Sequence, residues 1–204
     1  MEKLDKRADT AAPIQPALAD RWSPYAYSDR PVPEQDLLAL LEAARWAPSS
    51  YNEQPWRYIL ARRRDGDEYA RLLSCLVDGN QAWARNAPLL MIGVTRTSFA
   101  RNGKPNRAAQ HDLGLASAGI CAEATARGLF VHQMIGILPE RVRELYGVPP
   151  DSEPLTALAI GYLGDAAGLP EALQERDRLP RTRRPLAETV FEGSWGRPAL
   201  LAGV

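Results

Sequence analysis

Four short polar segments hold nearly all the residues of this chain that could do chemistry. In DRWSPYAYSDRPVP (20–33), Arg21 and Ser23 stand two apart. On an extended stretch such side chains point the same way, and an arginine beside a hydroxyl can grip a phosphate through charge-assisted hydrogen bonds. A solvated loop would carry the same pair. In APSSYNEQPW (47–56), Ser49, Ser50, Asn52 and Gln54 lie between Pro48 and Pro55, with Trp56 as an anchor. A loop stiffened in this way holds donors and acceptors in fixed directions and can read the edge of a planar heterocycle; a polar turn is the plainer alternative. In LFVHQMIGI (129–137), His132 and Gln133 interrupt an apolar strand and Gly136 breaks it. Glycine late in a strand admits close backbone approach to a ligand, and its amide can donate to a ring nitrogen. His132 serves equally well as a core histidine. RLPRTRRPL (178–186) carries Arg178, Arg181, Arg183 and Arg184, which suits a specific anion or simply a solvated charge run.

Other chemistries lack players. No GxxxxGK[ST] loop occurs, no GxGxxG sits between a strand and a helix, and no GxSxG elbow is present. GLASAG, inside a helical stretch, is explained by small-residue packing. The two histidines, His111 and His132, and the two cysteines, Cys75 and Cys121, are spread apart, so neither a metal site nor a disulfide framework is expected. An enzyme of this composition needs a bound cofactor to supply reactive atoms. Lysine plus arginine and aspartate plus glutamate are 25 each, which gives no pull toward nucleic acid or an anionic membrane. No signal-peptide pattern and no span of ~20 apolar residues appears; the expected setting is the cytoplasm, with neither nucleic acid nor membrane as partner.

The elements that must position these segments follow from periodicity. Residues 1–19 are expected to be a flexible arm, and 20–204 a single domain with a C-terminal extension. PEQDLLALLEAARW (33–46) has three-four apolar spacing and reads as a helix. WRYILAR (56–62) reads as a strand, 67–76 and 81–86 as helices, and PLLMIGVTR (88–96) as a strand buried on both faces. Residues 107–127, rich in alanine, glycine and serine, form a central helix on which another backbone can approach closely, and a plausible seam between subunits. Then come a strand (129–137), a helix (139–147) and a strand (155–164). Such an order indicates an α+β or α/β layered domain.

In this order the segments resemble the FMN-dependent nitroreductase family, from Arg21 to Trp195. The resemblance is carried by Arg-x-Ser, Pro-Ser-Ser-x-Asn-x-Gln-Pro-Trp, Asn80 with Trp83 ahead of Ala-Pro, His-Gln-Met-x-Gly, Ala-Ile-Gly-Tyr and Arg-x-Arg-Arg-Pro-Leu. It implies an α+β fold with a central, mostly antiparallel sheet flanked by helices, and an interlocked homodimer with FMN at the subunit interface. By position, Arg21, Trp22 and Ser23 would meet the phosphate and ribityl region, with Tyr25 where many relatives carry a second basic residue. Arg181 and Arg183 would close on the phosphate. Pro48, Ser49, Ser50, Asn52 and Gln54 would line the flavin ring. Asn80 would bond near its pyrimidine end or the ribityl chain, with Trp83 where some relatives have lysine. Gln133, Met134 and Ile135 would flank the ring, and the Gly136 amide would donate toward N5, the reacting atom. The implied activity is ping-pong hydride transfer: NAD(P)H delivers to the flavin, leaves, and a nitroaromatic, quinone or related acceptor takes its place. Dehalogenation, azoline oxidation and storage of a flavin that never turns over are the implied alternatives.

Overall fold

The two most continuous apolar runs form the middle of the sheet. A computed structural model describes residues 6–201, in which β1 (Trp56–Arg62), β2 (Leu89–Arg96), β3 (Phe130–Met134) and β4 (Ser152–Gly161) pair antiparallel in the order β1-β2-β4-β3. Around it lie α1 (Pro16–Ala19), α2 (Glu34–Arg45), α3 (Asp67–Leu73), α4 (Asp78–Ala84), α5 (Ala109–Ala126), α6 (Pro139–Tyr146) and α7 (Glu171–Arg178). The architecture is the expected α+β one. Because strand side chains alternate, β2 and β4 feed two cores. Leu90, Ile92, Ala157 and Ala159 pack with Tyr69, Leu72 and Trp83. Leu89, Met91, Leu158 and Ile160 pack with Leu37 and Leu40 of α2 and Leu113 and Ile120 of α5.

The small residues of α5 do what their size suggests. A Cβ on Gly119 would lie 2.7 Å from the Ala43 carbonyl oxygen, so glycine there lets α2 cross closely. Pro154 sits in β4 although it has no N–H to give a ladder; the register slips at Gly93/Val94, where Val94 faces Pro154, and so absorbs it.

Some boundaries differ from those read in the sequence. The helix expected over 81–86 spans Asp78–Ala84, because the Val77 carbonyl accepts the N–H groups of Asn80 and Gln81 and Asp78 favours a helix N-terminus. The strand expected over 129–137 ends at Met134, since the chain turns sharply, with Ile137 N–H donating to the Ile135 carbonyl. Helix α7 was not expected at all. The described part of the stretch expected to be a loose arm is tied down: α1 forms, Ala8 N–H donates to the Ala19 carbonyl at 2.8 Å, and Lys6 is buried with its ammonium 5.2 Å from the Trp22 ring centre.

Candidate functional site

The first cluster is built where three distant stretches meet. Arg21 Nη1 donates to Ser23 Oγ at 3.1 Å, so the two share a side as extended spacing requires. Between them Trp22 turns inward, edge-on to Phe130 at 5.8 Å. The segment is pinned from two directions. His132 Nδ1 lies 2.9 Å from the Pro24 carbonyl, and since a carbonyl only accepts, that nitrogen carries the proton. Burial lowers the pKa of this ring and favours its neutral form, with the Pro24 bond opposing and Arg21 adding to the effect. On the other side the buried Asp177 of α7 accepts the Tyr25 N–H at 3.2 Å; desolvation raises its pKa against the pull of those backbone bonds and of Lys6.

Arg181 follows α7 closely. Its Nη1 donates to the carbonyls of Lys6 (2.8 Å) and Ala19 (2.6 Å), and Lys6 Nζ donates to the Leu179 carbonyl. Arg181 Nε is buried without a hydrogen-bond partner among the described residues. The pKa of Arg181 is lowered first by burial and then by the charges of Arg21 and Arg183, while Asp20 opposes. Arg183 is exposed and bonds only the neighbouring Thr182 carbonyl. Three arginines and a lysine thus crowd one place, where an anion would relieve their repulsion.

Beside this cluster lies the end of β3. Gln133 Nε2 donates to Cys121 Sγ at 3.2 Å, and the charge of Arg21 reaches both Cys121 and His132. Ile135 is 75% exposed. The Gly136 carbonyl accepts Asn80 Nδ2 at 3.0 Å and the Val77 N–H at 3.1 Å, whereas the Gly136 N–H finds no acceptor among the described residues. A Cβ at Gly136 would lie 2.6 Å from Asn80 Nδ2, so a side chain there would have to displace the Asn80 amide. Trp83 and Met134, expected at the ligand, are both buried in the core. Trp83 is 1% exposed and enclosed by Tyr25, Tyr27 and His132 at 5.1, 6.4 and 4.5 Å, and Met134 is 5% exposed.

The second cluster is the proline-bounded loop. Ser49 Oγ accepts the Gln54 N–H at 3.0 Å, the Ser49 carbonyl accepts the Asn52 N–H at 3.0 Å, and Gln54 Nε2 returns to the Asn52 carbonyl at 3.1 Å. Ser49 and Gln54 therefore shape the loop, while the side chains of Ser50 and Asn52 make no hydrogen bond among the described residues. The Ser50 N–H donates at 3.0 Å to Asp112, a carboxylate only 1% exposed on α5. Sequence reading missed Asp112; the available signal was an acid in the first turn of a helix rich in small residues. Tyr51, Asn52 and Gln54 have φ of +54°, +55° and +51°, a region that non-glycine residues seldom enter.

The two clusters hang on different parts of α5. Asp112 holds the loop and Cys121 meets Gln133; these lie about 13 Å apart along the helix at its normal rise. Among the described residues no hydrogen bond or ring contact joins the loop to the cation cluster.

The fold is an α+β one with a four-stranded antiparallel sheet, and it carries a cluster of cations and a hydrogen-bonded polar loop. The model of the Nitroreductase family matches residues 18–162, and the chain belongs to that family. The match takes in Arg21 through Gly136; Arg181 and Arg183 lie beyond it. An uncharacterized 15.4 kDa protein in the ask 5′ region of Mycolicibacterium smegmatis is 35% identical over 151 residues, 70% of this chain and 99% of its own length. An NADH dehydrogenase of Thermus thermophilus is 30% identical over 175 residues, 72% of this chain and 84% of its own. The crystal structure of an oxidoreductase containing FMN superposes with a TM-score of 0.86 at 34% identity, over 96% of this chain and 98% of that one.

Proposed function

We propose that this chain binds FMN and acts as an NAD(P)H-dependent oxidoreductase on nitroaromatic, quinone or related organic acceptors. One observation carries the reading: Arg21, Arg181 and Arg183 are gathered with a buried, unpartnered Arg181 Nε beside them, a cradle that a phosphate would complete. Family membership and the FMN-containing relative support it.

The residues present fit the group. Arg21, Ser23, Arg181 and Arg183 would hold the phosphate; Ser50 and Asn52, with Pro48 beside them, would line the ring; the free Gly136 N–H would meet a ring acceptor, with Asn80 fixing that glycine. Bound FMN supplies reversible hydride chemistry, which no side chain here can. The protein's part is orientation and positive charge near the anionic end. Because the loop and the cation cluster sit apart on α5, a second copy of the chain bringing its own loop would complete the site, and a homodimer belongs to the proposal. So do a single domain over 20–204 and a cytoplasmic setting; no helix among the described residues is long and apolar enough to cross a membrane.

The test is direct. Purified protein loaded with FMN should bleach on anaerobic addition of NADH or NADPH, and steady-state double-reciprocal plots against an acceptor should be parallel, since donor and acceptor share one slot. Colour that persists would favour a flavin store, and protein that stays colourless after FMN is added would end the reading.

A further inference from the structure

Tyr51 belongs to the polar loop but takes no part in the contacts that shape it. Its φ of +54° is unusual for a bulky residue and costs on the order of 1–3 kcal/mol, yet the ring is 75% exposed and so recovers little by burial. What it meets is a second loop. Phe99 stands edge-on to Tyr51 at 5.8 Å, and the Arg101 guanidinium lies 4.4 Å from the Tyr51 ring centre and 5.4 Å from that of Phe99. The second loop is a tight hairpin, with Phe99 N–H to the Lys104 carbonyl, Gly103 N–H to the Phe99 carbonyl and Asn106 N–H to the Thr97 carbonyl, all at 2.8 Å. Glu53 Oε1 joins the loops by accepting the Ala100 N–H at 2.6 Å. Arg101 forms no ion pair among the described residues.

A guanidinium parked over an exposed ring and a half-buried one on two braced loops is poised for a flat ring bearing an anion: the rings supply stacking surface, and the cation, already weakly hydrated and oriented, supplies the charge. We propose that Tyr51, Phe99 and Arg101 form the acceptor-recognition platform of this protein and select aromatic carboxylates over their neutral counterparts. The inference rests on the proposed reductase function, because it is the loop assigned to the flavin ring that carries Tyr51.

The experiment uses the FMN-loaded full chain with para-nitrobenzoate and its neutral analogue para-nitrobenzamide, measured by calorimetric titration and by turnover with NADH. The native protein should bind the carboxylate more tightly, and added salt should erode that preference. Arg101→Gln should raise Kd and KM for the carboxylate about tenfold, equivalent to about 1.4 kcal/mol, while leaving the amide within about twofold and kcat little changed. Tyr51→Asn, which keeps a residue tolerant of positive φ, should weaken both ligands. Equal effects of Arg101→Gln on the two ligands, no effect on either, or a change confined to the KM of NADH or NADPH would overturn the proposal. A protein that binds with this selectivity but turns over neither acceptor keeps the platform and defeats the reductase reading; normal turnover of the amide with Arg101→Gln silent does the reverse.

Discussion

Arg181 and Arg183 stand two apart in one stretch, yet the structure gives them different work, and substituting them singly should separate it. Arg183 is exposed and bonds only a neighbouring carbonyl, so Arg183→Ala should leave the melting temperature within a degree or so of the native value. If it contacts the flavin phosphate, it loses one charge-assisted bond of about 1.5–3 kcal/mol, a ten- to more than hundredfold rise in the Kd for FMN. Arg181→Ala instead strands the Lys6 carbonyl, at roughly 1–3 kcal/mol, and removes one of the two donors of the Ala19 carbonyl, which keeps the Ala8 N–H. Relief of its repulsion with Arg21 and Arg183 offsets part of that, for a net loss on the order of 1–3 kcal/mol. In a chain of this length each kcal/mol moves the melting temperature by about 2–4 °C, so a fall of roughly 2–12 °C is expected together with weaker FMN binding. Thermal melts of the apoprotein give the first quantity and fluorescence titration with FMN at low salt the second. An Arg183→Ala protein that binds FMN like the native one would refute the phosphate assignment, and an Arg181→Ala apoprotein with a native melting temperature would refute the clasp between arm and tail.

Two further outcomes follow from the same geometry. Gly136→Ala places a methyl 2.6 Å from Asn80 Nδ2 and 3.0 Å from Val77 Cγ2; it should cost about 1–3 kcal/mol and slow turnover more than it weakens FMN binding, as melts and kcat would show. His132 titrates below its ordinary 6.5 because it is buried, so between the folded and unfolded pKa values the unfolded chain binds more protons. Stability therefore falls as pH drops below about 6.5 and levels off beneath the folded pKa, and His132→Gln, which can still donate to the Pro24 carbonyl, should flatten that acid limb in melting temperature against pH.

Sequence periodicity carried the sheet and the long helices because there the burial pattern is itself the signal: the apolar run 88–96 read as a strand covered on both faces, and the small residues of 107–127 as a helix that another backbone can approach, as α2 does at Gly119. It failed where tertiary contact decides. In α7, EALQERDR has too few apolar positions to announce a helix; Asp177 commits it by capturing the Tyr25 N–H. Trp83 follows Asn80 by three residues and looked like a ligand neighbour, yet α4 starts early enough to turn the indole into the core while Asn80 meets Gly136.

The polar loop shows why composition alone names a site without describing it. Its serines, asparagine and glutamine were legible as hydrogen-bonding groups, but half of that capacity is turned inward: Ser49 and Gln54 bond within the loop and leave Ser50 and Asn52 free. Three residues at positive φ persist only if their surroundings over-determine them, and here part of the constraint comes from outside the segment, from Asp112 on the backbone of Ser50 and from the hairpin's Ala100 N–H on Glu53. A carboxylate as buried as Asp112 is costly unless its oxygens are used. It accepts the Ser50 N–H and contacts His111 Nδ1 at 3.1 Å, so the cost of burying it and the strain of the loop offset one another at a single hydrogen bond. Neither half of that exchange can be read from its own stretch of sequence, because each is unfavourable until the other is present.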